Sequence, residues 1–185
     1  MKKYLHLTLV LFVIAFLSGF ILGVVNELTK GPIARATAQK LADGIEKIFP
    51  NMNKDALENE ENTIELNDKV LKKYYIIYDK DNADEVIGYI FYVDAPKPYK
   101  KIEFIVGIDI NGKVKGISYL KNEETPGLGT RVTNSDFINR FLNLNDVSEV
   151  DTISGATKSS QAVKNGIEQA LNYYKQNLGT QGGSH

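Results

Sequence analysis

The chain has 185 residues, 22 basic and 23 acidic side chains, a formal charge of −1 and no cysteine. That length suits one domain of about 100–200 residues plus an appendage, and hydrophobic and charged contents of 43% and 24% exclude wholesale disorder. The balanced charge lacks the footprint of a general nucleic-acid binder. The absence of cysteine removes disulfides, thiolate nucleophiles, Cys-ligated zinc, iron–sulfur clusters held by this chain and thioether-linked haem.

Histidine is nearly as scarce. His6 and His185 are the only two, and both fall outside the folded body expected below. That body therefore has no side chain with an ordinary pKa near 7, which removes histidine triads and histidine metal sites. A bound non-protein cofactor fits this composition better than side-chain acid–base catalysis.

Lys2 and Lys3 precede Tyr4–Asn26, a run without a charged residue. As a helix the run is about 34 Å long at about 1.5 Å per residue, enough for a hydrocarbon core of about 30 Å. Signal-peptide apolar regions are shorter, about 7–15 residues, and the first small-x-small pattern, Ala34-Arg35-Ala36, comes late. An uncleaved single-pass anchor is expected. Lys30, Arg35 and Lys40 follow the span, so the basic count is nearly even on its two sides. A short cytoplasmic stub with an exported domain is the simpler topology, since long domains translocate largely regardless of charge. Gly19 and Gly23 form a GxxxG pair beside Ser18, a surface that lets another membrane helix approach closely.

After Pro32, Ile33, Leu41, Ile45, Ile48 and Phe49, with Ala36 and Ala38, read as one face of a helix closed by Pro50. Asp55–Asp68 is acidic and poor in large apolar groups, so it reads as a solvated loop. Four strand-like runs follow, Val70–Tyr78, Glu85–Val93, Ile102–Ile110 and Lys113–Leu120, each rich in β-branched and aromatic residues. Asn111-Gly112 between the last two suggests a tight hairpin turn with both central residues at positive φ. A short helix over Asp136–Leu142 and a final one over Ser159–Asn177 complete the body, and Gly179–His185 reads as a flexible tail. The expected fold is α+β, a largely antiparallel sheet flanked by helices.

Two stretches carry the chemistry. Asp151-Thr152-Ile153-Ser154-Gly155-Ala156-Thr157-Lys158-Ser159 is a hydroxyl-rich turn feeding a helix. A helix N-terminus with its unpaired N–H groups holds phosphate well, and Lys158 adds a cation. An ordinary Ser or Thr cap without any ligand gives the same local pattern. Glu123-Glu124-Thr125-Pro126-Gly127-Leu128-Gly129 offers backbone N–H groups and one apolar side chain suited to a flat ring. A plain turn after a strand reads the same way.

Together the two stretches resemble the FMN-binding domain family, whose attachment motif matches Asp-x-x-Ser-Gly-Ala-Thr-x-Ser and whose companion loop matches Glu-Thr-Pro-Gly-Leu-Gly. The resemblance implies that Thr157 carries FMN through a phosphoester. It implies that Asp151, Ser154, Gly155, Ala156 and Ser159 belong to the attachment motif, read by a separate flavin transferase. It also implies that Glu124, Thr125, Leu128 and Gly129 lie against the isoalloxazine. Lys158 sits at a variable position of the motif, so its phosphate role rests on its charge alone.

A single amino-terminal span with no other domain is similar to the G subunits of Rnf-type ferredoxin:NAD⁺ oxidoreductases. The implied function is electron transfer among membrane subunits, a second flavoprotein subunit included, in a complex coupling that flow to ion translocation. The related C subunit of Na⁺-translocating NADH:quinone reductase, a free-standing anchored flavoprotein and a non-redox sensory module are the alternatives. The implied layout is a cytoplasmic stub at 1–3, a transmembrane helix at 4–26, an extracytoplasmic FMN-binding domain at 27–178 and a tail at 179–185.

Overall fold

The structure, a computed structural model, describes residues 2–179; Met1 and the tail expected beyond Gly179 lie outside the described residues. The chain divides into two units, Met1–Lys40 and Leu41–His185. The first is helical. Helix α1 runs over Lys2–Ile48 with Pro32 inside it, so the apolar span and the helix read after Pro32 are one continuous helix. Proline removes one i→i−4 hydrogen bond, and the alanine- and lysine-rich sequence beyond it has enough helix propensity to continue. Its large side chains from Tyr4 to Leu28 that are described are exposed. Among the described residues this is the one helix long and apolar enough to cross a membrane, at a mean hydropathy of 2.7.

In the second unit the expected strands form β2 (Leu71–Tyr78), β3 (Val86–Asp94), β4 (Ile102–Asp109) and β5 (Val114–Asn122). With β1 (Thr63–Glu65) at one edge, all neighbours pair antiparallel in the order β1-β2-β3-β4-β5. Strand β1 (Thr63–Glu65) and helix α2 (Lys54–Glu58) correct the reading of Asp55–Asp68 as plain loop. Asn53 caps α2 by accepting from the Asp55 and Ala56 N–H groups, and β1 pairs with the edge of β2 through backbone bonds that need no apolar run.

Side chains alternate across the sheet, as the strand period of two requires. The short helix expected over Asp136–Leu142 is α3 (Ser135–Ile138) with a 3-10 turn after it. Phe91, Val93, Phe104, Val106 and Ile117 meet α4 (Thr157–Asn177) in the larger core. Ile77, Ile90, Ile105 and Leu120 meet Ile45, Ile48 and Phe49 at the end of α1 on the other face. Ala36 and Ala38, expected on that buried face, are exposed; the Ile33 side chain lies outside the described residues. Burial of the helix begins near Leu41, where the sheet first covers it.

The β4–β5 turn also differs from expectation. Gly112 has φ 75° but Asn111 does not share the left-handed region. Gly112 donates to the Asp109 carbonyl and Asp109 to that of Lys113, giving a three-residue loop with glycine at the bulge. The Asp109 carboxylate accepts from the Asn111 and Lys113 N–H groups and supplies the order that a two-residue turn would otherwise provide.

Phe49 lies so close to β3 that a Cβ on Gly88 would stand 2.5 Å from its Cζ and 2.7 Å from the Ile108 carbonyl oxygen. Gly88→Ala is expected to destabilise the chain by about 1–3 kcal/mol, the usual cost of overpacking. Urea unfolding of the detergent-solubilised protein checks this; an unchanged midpoint would show that Phe49 can move aside freely.

Candidate functional site

Three pieces of chain meet at the sheet end where β3 passes to β4 and β5 ends. The first is the β3–β4 loop. Pro96 and Pro98 break the strands, Lys97 takes φ 57°, and Tyr99 is left 74% exposed. Strain at a non-glycine residue persists only where neighbours impose it. Here the Tyr99 and Lys100 N–H groups donate to Glu124 Oε1 at 2.9 and 3.1 Å, while Ala95 donates to the Ile102 carbonyl. Glu124 is 4% exposed, and its own N–H is taken by Asn122 Oδ1.

The second piece is the turn after β5. Leu128 N–H donates to the Thr125 carbonyl, and Gly127, at φ 76°, donates to Thr130 Oγ1. The Gly127 N–H is therefore spent within the turn. Leu128 projects outward and is 52% exposed. Gly129 is buried where a side chain has no room: a Cβ would lie 2.6 Å from Glu124 Cβ and 2.8 Å from Ser159 Oγ.

The third piece is the start of α4. The helix begins at Thr157, two residues before its expected start. Its cap residue is Ala156, which has no side-chain acceptor, so neither serine nor threonine caps it. Thr157 and Lys158 are exposed on the first turn, while Ser159 and Ser160 face inward. Ser160 Oγ accepts from Ile153 N–H at 3.1 Å and donates to the Ala156 carbonyl at 2.8 Å. The approach is clamped further by Arg131, donating to the Ser154 carbonyl at 2.8 Å, and Arg140, donating to the Asp151 carbonyl at 3.1 Å. Lys164 donates to the Val150 carbonyl at 3.0 Å.

Between these pieces lies an open cavity of about 590 Å³. One wall is Tyr99, Glu124, Thr125, Leu128 and Gly129; the other is Gly155, Ala156, Thr157, Lys158, Ser159 and Gln161. The two sequence stretches thus form one site. Ser154 and Asp151 are not part of its lining. Gly155, at φ 80°, reverses the chain and turns the Ser154 carbonyl toward Arg131, and Asp151 lines a separate cavity beside Arg140. Tyr99, Gln161 and the clamping side chains are additions that sequence reading missed. The prolines around Tyr99 signalled a loop, but nothing local signalled where it would end. Lys158 Nζ stands 4.0 Å from the centre of the Tyr99 ring, a cation–π contact typically worth about 0.5–1 kcal/mol when exposed.

Among the described residues no group of histidine, cysteine and carboxylate side chains could hold a metal ion. The cavity does suit a flat ring carrying a phosphate. Its volume lies in the range of small-ligand sites, about 300–1,000 Å³, Gly129 keeps the ring wall bare, and the uncapped first turn of α4 presents N–H groups to an anion.

Residues 99–172 match the family profile described as FMN-binding domain. The matched span contains every residue lining the cavity. The chain is similar to the G subunit of an ion-translocating oxidoreductase complex of Methanosarcina acetivorans, 32% identical over 102 residues that cover 50% of this chain and 54% of that one. It is also similar to the G subunit of the Na⁺-translocating ferredoxin:NAD⁺ oxidoreductase complex of Acetobacterium woodii, 26% identical over 96% of this chain and 94% of the relative. A crystal structure of Shewanella oneidensis NqrC aligns at a TM-score of 0.47 and 18% identity, covering 70% of this chain and 73% of that one.

Gly129→Ala is expected to push the two walls apart and to lower the flavin absorbance per purified chain severalfold. An undiminished ratio would show that Glu124 and Ser159 yield to the methyl group.

Proposed function

We propose that this chain is a membrane-anchored electron-transfer subunit of a ferredoxin:NAD⁺ oxidoreductase complex that couples electron flow to ion translocation, with FMN esterified to Thr157. The observation that carries the reading is the meeting of both motifs around one cavity, with the Thr157 hydroxyl exposed on its wall. The related G subunits, one of them alignable over 96% of this chain, supply the complex. The flavin, when bound, supplies one- and two-electron chemistry that no side chain here offers.

The protein's part is binding and orientation. Thr157 anchors the phosphate at the start of α4, where unpaired N–H groups and the helix dipole favour negative charge. Leu128 lies across the cavity as an apolar contact for the ring, and Gly129 holds that turn against Glu124 and Ser159. Ser154, Gly155 and Ala156 shape the approach to Thr157, with Asp151 as the motif's first residue. A separate flavin transferase, taking FMN from FAD, writes the ester. Residues 4–26 span the inner membrane, 1–3 remain in the cytoplasm, and 27–178 lie outside it. A Cβ at Gly19 or Gly23 meets nothing within 4 Å, which leaves that strip of α1 open to a helix of a neighbouring subunit.

Intact-mass measurement tests the ester. The wild-type chain should exceed its sequence mass by one FMN less one water, located on the Thr157 peptide. Thr157→Ala should fold and stay colourless, and covalent flavin remaining in that variant would sink the assignment.

Topology is tested separately. Protease added to cells stripped of their outer wall should cut the chain after Asn26. Protection there, with digestion only after lysis, would reverse the orientation.

A further inference from the structure

Lys158 reaches across the cavity. Its backbone belongs to α4, beside Thr157, yet its ammonium stands over Tyr99 on the opposite wall, 4.0 Å from the ring centre. Helical phase makes this possible: Thr157 and Lys158 face outward while Ser159 is buried, and of that outward pair only lysine is long enough to cross. The backbone that carries this ring is held, because Glu124 Oε1 accepts from the Tyr99 and Lys100 N–H groups. Among the described residues, Lys158 and Glu124 are the only charged side chains lining the cavity. Glu124 is buried and bonded through Oε1 to those two backbone groups, whereas Lys158 is exposed and carries its charge across the mouth.

We propose, building on the flavoprotein reading above, that Lys158 raises the reduction potential of the bound flavin by acting on its ring rather than on its phosphate. Accepting one electron without a proton adds one negative charge to the isoalloxazine. A cation held at the cavity mouth stabilises that charge, and does so more strongly between protein walls than in bulk water. The esterified phosphate keeps the same charge before and after the electron arrives. A lysine serving the phosphate would therefore affect loading and leave the potential unchanged. Its place between Thr157 and Ser159 supplies only proximity; the Tyr99 contact supplies the direction.

Spectroelectrochemical titration of the full-length, flavin-loaded chain tests this with Lys158→Gln and Lys158→Arg. Lys158→Gln should shift the oxidised-to-reduced ratio about tenfold toward the oxidised form at a fixed potential, a one-electron midpoint lower by about 59 mV. Lys158→Arg, which keeps the cation, should stay within half of that shift. Equal midpoints in all three proteins overturn the proposal. So does loss of covalent flavin from Lys158→Gln, which would assign the charge to phosphate or loading. A wild-type chain without flavin overturns the flavoprotein reading itself and this inference with it.

Discussion

The site depends on a carboxylate placed where water hardly reaches. Glu124 is 4% exposed, and a buried carboxylate is tolerated only when hydrogen bonds replace its lost hydration. The Tyr99 and Lys100 N–H groups do this from the β3–β4 loop, 25 and 24 residues earlier in the chain. The same side chain lies so close to Gly129 that a Cβ there would stand 2.6 Å from Glu124 Cβ, and 2.8 Å from Ser159 Oγ on α4. One side chain thus ties the loop to the turn, and the bare Gly129 lets that turn approach the helix start. Without Glu124 the β3–β4 loop would have no reason to keep Lys97 at positive φ with Tyr99 turned outward.

The attachment turn is ordered by a different device. Arg131, Arg140 and Lys164 each donate to a carbonyl between Val150 and Ser154, and Ser160 completes the turn from inside α4. A chain held at so many carbonyls has little conformational freedom left to lose when a ligand arrives, and such preorganisation favours binding. The clamps hold the backbone of the turn, and Thr157 itself is exposed. The division of labour is between buried or backbone-directed groups that hold the turn and outward groups that face the cavity.

Much of the fold was legible because its signals are local. Four strands were readable from their apolar and β-branched runs, and the structure places them within about two residues of the expected limits. Val163, Ile167, Leu171 and Tyr174, at helical spacing in the sequence, form part of the buried face of α4. The short elements between Lys54 and Glu65 were not legible, because an edge strand of three residues is held by backbone pairing to β2.

The sequence by itself determined which chemistry this protein can host. It has no cysteine and only two histidines, one long apolar span, and two motifs whose residues match the FMN-binding domain family. The tertiary structure decided how those residues are divided. It brought Tyr99 and Gln161 into the cavity, turned Ser154 away through Gly155, sent Asp151 to a separate surface and carried the Lys158 ammonium over to the far wall. None of these placements has a local signature. Each follows from a contact between residues far apart in the chain, such as Arg131 with Ser154 or Glu124 with Tyr99, and such contacts exist only after an antiparallel sheet has brought one end of its strands to the start of α4.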